Sequence, residues 1–361
     1  GARRRARRVG RAIGDLVSKL AATAVGPATS VQDGGRYGAQ RYGLTSGGAV
    51  DRLALAIGNC LVGNSSFAAA IEIGPFGTGF TVREGKVRVA LTGAARDADV
   101  SGRPVSLNES RTLVGGDRLT LGAARDGMFS YLAIEGGVKG EPMFGSLAVH
   151  ARAGLGSPFP RPLQPGDVFD VEAATAGAER RIELLGQDDG PIRVVMGPQD
   201  DEFGEATGLF LGSEWKITAT SDRMGYRLEG PIIKHLHGHN IVSDGTVNGS
   251  IQVPGNGQPI VLMPDRGTSG GYPKIATVVT ADLGRFAQIP VGRGFRFRAV
   301  TVAEAQTEAR AMADLLRTLP DRVCEVRNTD ISDALRNANI AGTAVNAFDS
   351  STWQTWPPLE P

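Results

Sequence analysis

Cysteine, aromatic side chains, long apolar runs and an excess of either charge are all scarce in this sequence, and each scarcity removes a class of protein. The two cysteines, Cys60 and Cys324, lie far apart and form no CxxC or Cys/His cluster. Neither a disulfide framework nor a zinc module is expected, no metal ligand set is expected, and a reducing cytoplasm is the expected compartment. No uninterrupted apolar run approaches the roughly 20 residues that a membrane-spanning helix needs, so a soluble chain is expected. Lys+Arg 39 against Asp+Glu 38 leaves a formal net charge of +1, which argues against a surface dedicated to nucleic-acid phosphates. Aromatic residues make up only 6%, yet 361 residues that are 41% hydrophobic can bury at least one full core and more than one if divided. Disorder as the main state is excluded.

What the sequence has in quantity is glycine, 50 residues, with 20 prolines and no collagen-like period. Many tight turns between short strands produce such a composition. Between Val31 and Val300 the runs Lys86 to Leu91, Tyr131 to Ile134, Ile192 to Met196, Ile251 to Val253, Ile260 to Met263, Ile275 to Val279 and Phe295 to Val300 read as strands. Glu84-Gly85, Gly115-Gly116-Asp117, Pro165-Gly166-Asp167 and Pro254-Gly255-Asn256-Gly257 supply the turns. Asp51 to Val62 is the exception: its apolar residues fall on a helical face, with Asp51 at the start and Gly63-Asn64 as a stop. A mainly β fold with a few helices follows.

The ends differ from the middle. Residues 1–20 carry six arginines and Lys19 against Asp15, with Val9, Ile13, Leu16, Val17 and Leu20 at helical spacing. This predicts a basic amphipathic helix, which suits an anionic membrane surface, an acidic partner or simple solvation. It lacks the apolar stretch of a secretory signal. After Thr301 the sequence predicts a second helix ended by Pro320, and an irregular tail closes the chain.

The densest polar stretch is Gly249 to Val278, where Asp265, Arg266, Thr268, Ser269, Tyr272 and Lys274 crowd a glycine-rich loop between two apolar strands. Gly267 to Gly271 formally matches G-x-S-x-G, but the β-branched run after it does not supply the helix that a nucleophile elbow needs. Asp222-Arg223-Met224-Gly225-Tyr226-Arg227 suits either a carboxylate or phosphate site or a surface ion-pair network. Asp33-Gly34-Gly35-Arg36 has the same character, and Thr45 to Asp51 leads into a helix N-terminus able to receive an anion. His235, His237 and His239 alternate, but Gly238 and Asn240 make the segment read as a loop of structural or solvated histidines. A P-loop is absent from the sequence, as is the Ala/Met-Lys-Met segment of a biotin carrier.

VQDGGRYGAQRYGLTSGGAVDRLALAIGNCLVGN, ALTGA, LAIEGGV, RAGLG, LQPGD, GSEW, SDRMGYRLEGP, IVSDGTVNGSIQVPGNGQPIVLMPDRGTSGGYPKIA and RFRAV occur in this order. Through them the chain resembles the biotin-dependent carboxyltransferase family that includes the C component of 5-oxoprolinase, also described as allophanate hydrolase subunit 2 or urea amidolyase-related protein. The resemblance covers about residues 24–300. It implies two cyclophilin-like β-barrel domains, at 24–190 (the carboxyltransferase subdomain) and 191–300, between a basic extension at 1–23 and a helix and tail at 301–361. It also implies one component of a bacterial, cytoplasmic enzyme, inactive alone. Such a component works with a B-like carboxyltransferase partner and a third 5-oxoprolinase component in ATP-dependent opening of 5-oxoproline to glutamate. The ATP is bound elsewhere in the complex. The alternative is carboxyl transfer to urea or a related acceptor from biotin carried elsewhere. A regulatory binding module for a kinase-inhibitor-like partner is the alternative of a different class. Gly267 departs from the polar residue, such as Gln, expected there, which touches the substrate rather than the fold.

Residue type and motif position then assign the chemistry. Arg223, Arg266 and Lys274 are expected to stabilise an anion or oxyanion, and Asp265 or Asp33 to handle a proton. Tyr226, Gln252, Thr268, Tyr272 and Arg36 are expected to bind and orient the substrate.

Overall fold

The computed structural model describes residues 17–183 and 189–326. Two antiparallel sheets form the first half of the chain. One runs in the order Val168–Glu172, Val17–Ala24, Thr78–Glu84, Arg118–Ala124, Arg96–Val100 and Arg103–Pro104. The other begins Ser30–Gln32, Ala70–Ile73, Ser130–Ile134, Lys86–Gly93 and Glu109–Val114, and continues to Arg180–Ile182. Leu20, Ile71, Phe80, Leu132 and Phe169 belong to one core cluster shared by the two sheets, each of them at most 1% exposed.

The second half is an eight-stranded sheet that nearly closes on itself. Its two outermost strands, Gly294–Phe295 and Phe297–Ala299, are consecutive in the chain and separated by Arg296 alone. The chain therefore leaves one edge of the sheet and enters the other within a single residue, which pulls the edges together and leaves little exposed edge. Between them lie Trp215–Ile217, Gly225–Glu229, Ile260–Leu262, Ser250–Gln252, Lys274–Val278 and Ile192–Met196. A separate ribbon pairs Asp244–Gly245 with Ser269–Gly270.

The helix expected after Asp51 is α1, Arg52–Leu61, and the Asp51 carboxylate caps it by accepting from the Ala54 N–H at 3.0 Å. Two short helices escaped the sequence reading: α2, Ala206–Gly212, and α3, Leu283–Ala287. The last α-helix among the described residues is α4, Val302–Thr318, which starts on a reciprocal capping box between Thr301 and Glu304 and has Leu319 and Pro320 just beyond its end. Buried residues of α1 share a core cluster with Trp215, Tyr226, Phe203 and Phe286 of the second half. The two β units thus meet through α1. Among the described residues no helix is long and apolar enough to cross a membrane.

The basic helix expected over residues 1–20 lies outside the described residues as far as position 16. From Val17 onward the expectation is corrected, because Val17–Ala24 is a strand that belongs to the first sheet. It pairs with Val168–Glu172 on one side and Thr78–Glu84 on the other, and Leu20 is wholly buried. Two ladders of backbone hydrogen bonds and a buried Leu outweigh the helical spacing of a few apolar residues.

Candidate functional site

The polar motifs converge where the two halves meet. Arg223 leaves the turn before Gly225–Glu229 and grips Asp265 side-on, with Nε donating to Oδ2 at 2.9 Å and Nη2 to Oδ1 at 3.0 Å. The same Nη2 donates to the Gly48 carbonyl at 2.8 Å, and Nη1 pairs with Glu72 of the first half. Glu72 interrupts the apolar strand Ala70–Ile73 and is fully buried. Its other oxygen accepts from the Val50 N–H at 2.9 Å and the Tyr131 hydroxyl at 2.7 Å.

Opposing forces act on the charges here. Burial pushes the Glu72 carboxyl up, and the Arg223 charge offsets only part of that rise. Burial works against the Arg223 guanidinium, but the charges of Asp265 and Glu72 outweigh it and hold Arg223 above the usual arginine range. Tyr131 is pushed far up by burial and then by the Glu72 and Asp51 carboxylates.

Two more arginines are buried nearby, each incompletely satisfied. Arg36, 1% exposed, donates through Nη2 to the Ala148 carbonyl, while its Nε and Nη1 have no partner among the described residues. Arg266, 6% exposed, reaches the Thr246 carbonyl through Nη2 at 3.4 Å, and among the described residues its Nε and Nη1 also have no partner. Burial lowers both guanidinium groups, against the opposing pull of Asp265, joined at Arg36 by that of Asp33. Unpaired buried donors are rare in a folded chain and point to sites where a ligand or water completes the bonding.

A second cluster surrounds Lys274. Its backbone pairs with Gln252 across the sheet, which sets both side chains on the same face. The Lys274 side chain is only 3% exposed, and Nζ donates to Asp244 Oδ2 at 2.8 Å. That hydrogen bond holds the exposed Asp244 carboxyl below its ordinary value. Gln199 Oε1 accepts from the Lys274 N–H at 3.0 Å, and Gln252 Nε2 reaches the Tyr272 carbonyl at 3.4 Å. Tyr272 itself is 39% exposed. The two clusters are joined by the short stretch Asp244-Gly245-Thr246: Asp244 serves Lys274, while the Thr246 carbonyl accepts from Arg266 and its N–H bonds the Thr268 carbonyl at 3.1 Å.

Not every expected residue takes its expected place. Asp33 is a structural carboxylate: Oδ1 accepts from the Gly35 N–H and the Ser146 hydroxyl, and Oδ2 from the Leu147 N–H, each at 2.7 Å. Both of its oxygens are thereby committed to the surrounding backbone and to Ser146. Tyr226 points into the core against Phe286 and donates its hydroxyl to the Ala287 carbonyl at 3.0 Å. Thr268 contributes its backbone, and Thr246 Oγ1 donates to the Gly267 carbonyl at 2.6 Å. The α1 N-terminus holds no room for a separate anion, because Asp51 fills it and also accepts from Gln288 at 2.9 Å. His235, His237 and His239 lie in irregular structure, with His235 Nε2 2.9 Å from the Val253 carbonyl. After Ser269 comes the strand Lys274–Val278 rather than a helix, so the nucleophile elbow is not formed. Glu72, Asp244 and Gln199 were missed. A lone acid inside an apolar strand was the available signal for Glu72; Asp244 and Gln199 had none beyond polarity.

A family model described as carboxyltransferase domain, subdomain A and B, matches residues 42–299. The C component of the 5-oxoprolinase of Escherichia coli is 39% identical over 284 residues, which are 77% of this chain and 90% of that protein. The corresponding 5-oxoprolinase component of Haemophilus influenzae is 35% identical over 282 residues, 76% of this chain and 89% of that one. Among solved structures, the urea carboxylase of Kluyveromyces lactis aligns with a TM-score of 0.76 at 25% identity, over 86% of this chain and 30% of that one.

Proposed function

Because the chain belongs to the carboxyltransferase family of subdomain A and B proteins, we propose that it is a subunit of a 5-oxoprolinase, which opens the lactam of 5-oxoproline to glutamate. The observation that carries this reading is the likeness to the C component of the Escherichia coli 5-oxoprolinase over 90% of that protein's length. The subunit is inactive alone. It works in a bacterial cytoplasm with a B-like carboxyltransferase partner and a third component in an ATP-dependent reaction. The sequence carries no P-loop and no biotinylation segment; the complex holds its ATP, and any biotin, elsewhere.

The residues suit the demands of a lactam. Its carbonyl must be polarised and the charge developing on oxygen stabilised in a site that excludes water. Lys274, buried and steered by Asp244, supplies a fixed positive charge for that oxygen. Asp265, oriented side-on by Arg223, supplies an acceptor for a proton of substrate or attacking water. Gln252 beside Lys274, and Arg266, which reaches the Thr246 carbonyl of the linking stretch, orient the substrate.

The test mixes this chain with its B-like partner, the third component, ATP and 5-oxoproline, and measures glutamate against a mixture lacking the chain. Glutamate that depends on the chain is expected. A verified assembly without glutamate rejects the reading. The likeness to urea carboxylase favours a second reading, carboxyl transfer from biotin carried elsewhere to urea, and transfer to urea in place of glutamate formation would support it.

A further inference from the structure

The space over Gly47 is bounded by one hydrogen-bond donor and one acceptor. Gly47 adopts φ +56, in the left-handed region, and its N–H donates to the Pro264 carbonyl at 3.3 Å, which ties this turn to the loop carrying Asp265. A Cβ placed on Gly47 would lie 3.1 Å from Arg36 Nη1 and 3.6 Å from Asp265 Oδ1. Among the described residues, and apart from the glycine's chain neighbours, nothing else lies within 4 Å of that point.

We propose that Arg36 and Asp265 together recognise the N–H and C=O edge of a cis amide, as a lactam or urea presents it, in the space over Gly47. The identification of a lactam as the ligand rests on the 5-oxoprolinase reading above; the complementarity stands on geometry.

Arg36 Nη1 is buried and has no partner among the described residues. The acids nearest in charge are committed elsewhere, Asp33 to three donors and Asp265 to Arg223. An unsatisfied buried donor is costly, and a carbonyl oxygen over Gly47 would satisfy it. Among the described residues Asp265 Oδ1 accepts only from Arg223 Nη2, which leaves a lone pair for an N–H. A free carboxylate would meet Asp265 as a like charge. A cis amide offers acceptor and donor side by side, and glycine at position 47 leaves them room.

The test compares 2-pyrrolidinone, which carries the whole edge, with N-methyl-2-pyrrolidinone, which keeps the carbonyl and loses the N–H. Binding is measured by ligand-observed NMR on the full chain, alone and assembled with its partners. The N-methyl compound should bind at least about tenfold more weakly, the loss of one hydrogen bond to a charged group. Gly47→Ala, with an unchanged circular dichroism spectrum, should weaken 2-pyrrolidinone by a similar factor. If that variant does not fold, the wild-type pair of lactams decides. Equal binding of the two lactams, or binding of neither to chain and assembly, overturns the proposal. Glutamate formation without discrimination between lactams sinks this inference and leaves the 5-oxoprolinase reading standing; discrimination without glutamate does the reverse.

Discussion

Replacing Arg223 by Met removes the cation between Glu72 and Asp265 while keeping much of the side chain's length. Glu72 is fully buried and Asp265 is 9% exposed, so neither carboxylate gains a water shell in exchange. Removing one partner of a buried ion pair costs about 3–5 kcal/mol. The upper half of that range is expected, because one guanidinium serves two acids and the Gly48 carbonyl. The loss should depend on pH. Burial already raises the Glu72 carboxyl above its ordinary 4.5, so the folded state binds more protons than the unfolded chain and the burial penalty grows as pH rises through the folded value. Without Arg223 that value climbs further, and each added unit contributes about 1.4 kcal/mol at pH above it. The deficit of the variant should therefore shrink as pH falls from about 8 to about 5. Urea unfolding followed by tryptophan fluorescence, to which the buried Trp215 contributes, and by far-ultraviolet circular dichroism reads it, with coincident transitions licensing a two-state treatment. Adding Glu72→Gln should recover part of the loss, a coupling of roughly 1–3 kcal/mol. A pH-independent loss under about 1 kcal/mol would falsify the claim that Arg223 holds the two halves through buried charge.

Lys274→Met should lower glutamate formation by the reconstituted complex about 10²–10³-fold in kcat, the scale of one lost oxyanion partner; a loss below tenfold removes Lys274 from the mechanism. Tyr226→Phe should cost about 1–2 kcal/mol in urea unfolding, since it strips the Ala287 carbonyl of its donor, and should leave KM for 5-oxoproline unchanged. A changed KM would return Tyr226 to the site. Asp51→Ala should destabilise by about 1–2 kcal/mol through loss of the α1 cap, and by more if the one Gln288 N–H that loses its acceptor finds no water. Hydrogen exchange should localise that loss to α1.

The family resemblance was legible because long motifs survive in order, and the family match at 42–299 falls within the stretch that carried it. The site was legible only in outline. Asp265, Arg223, Arg36 and Arg266 do gather at one junction, but the motif that supplied Arg36 also supplied Asp33, whose carboxylate is consumed by the backbone. Tyr226 lies three residues after Arg223 in sequence yet turns into the core, because Arg223 stands in the preceding turn while alternation along Gly225–Glu229 puts Tyr226 and Leu228 inward.

The sequence by itself determined what depends on residues a few positions apart. Asp51 and Thr301 cap the helices that follow them, apolar runs become strands, and glycines mark the turns, because each outcome is settled by local backbone geometry and capping within one turn. Tertiary structure decided everything that needs a distant partner. Arg223 meets Asp265 across 42 residues and Glu72 across 151. Lys274 finds Asp244 across 30. Val17–Ala24 becomes a strand only because two other strands flank it. A polar side chain's role is set by which donors and acceptors surround it once water is excluded, and that neighbourhood exists only after the chain has folded.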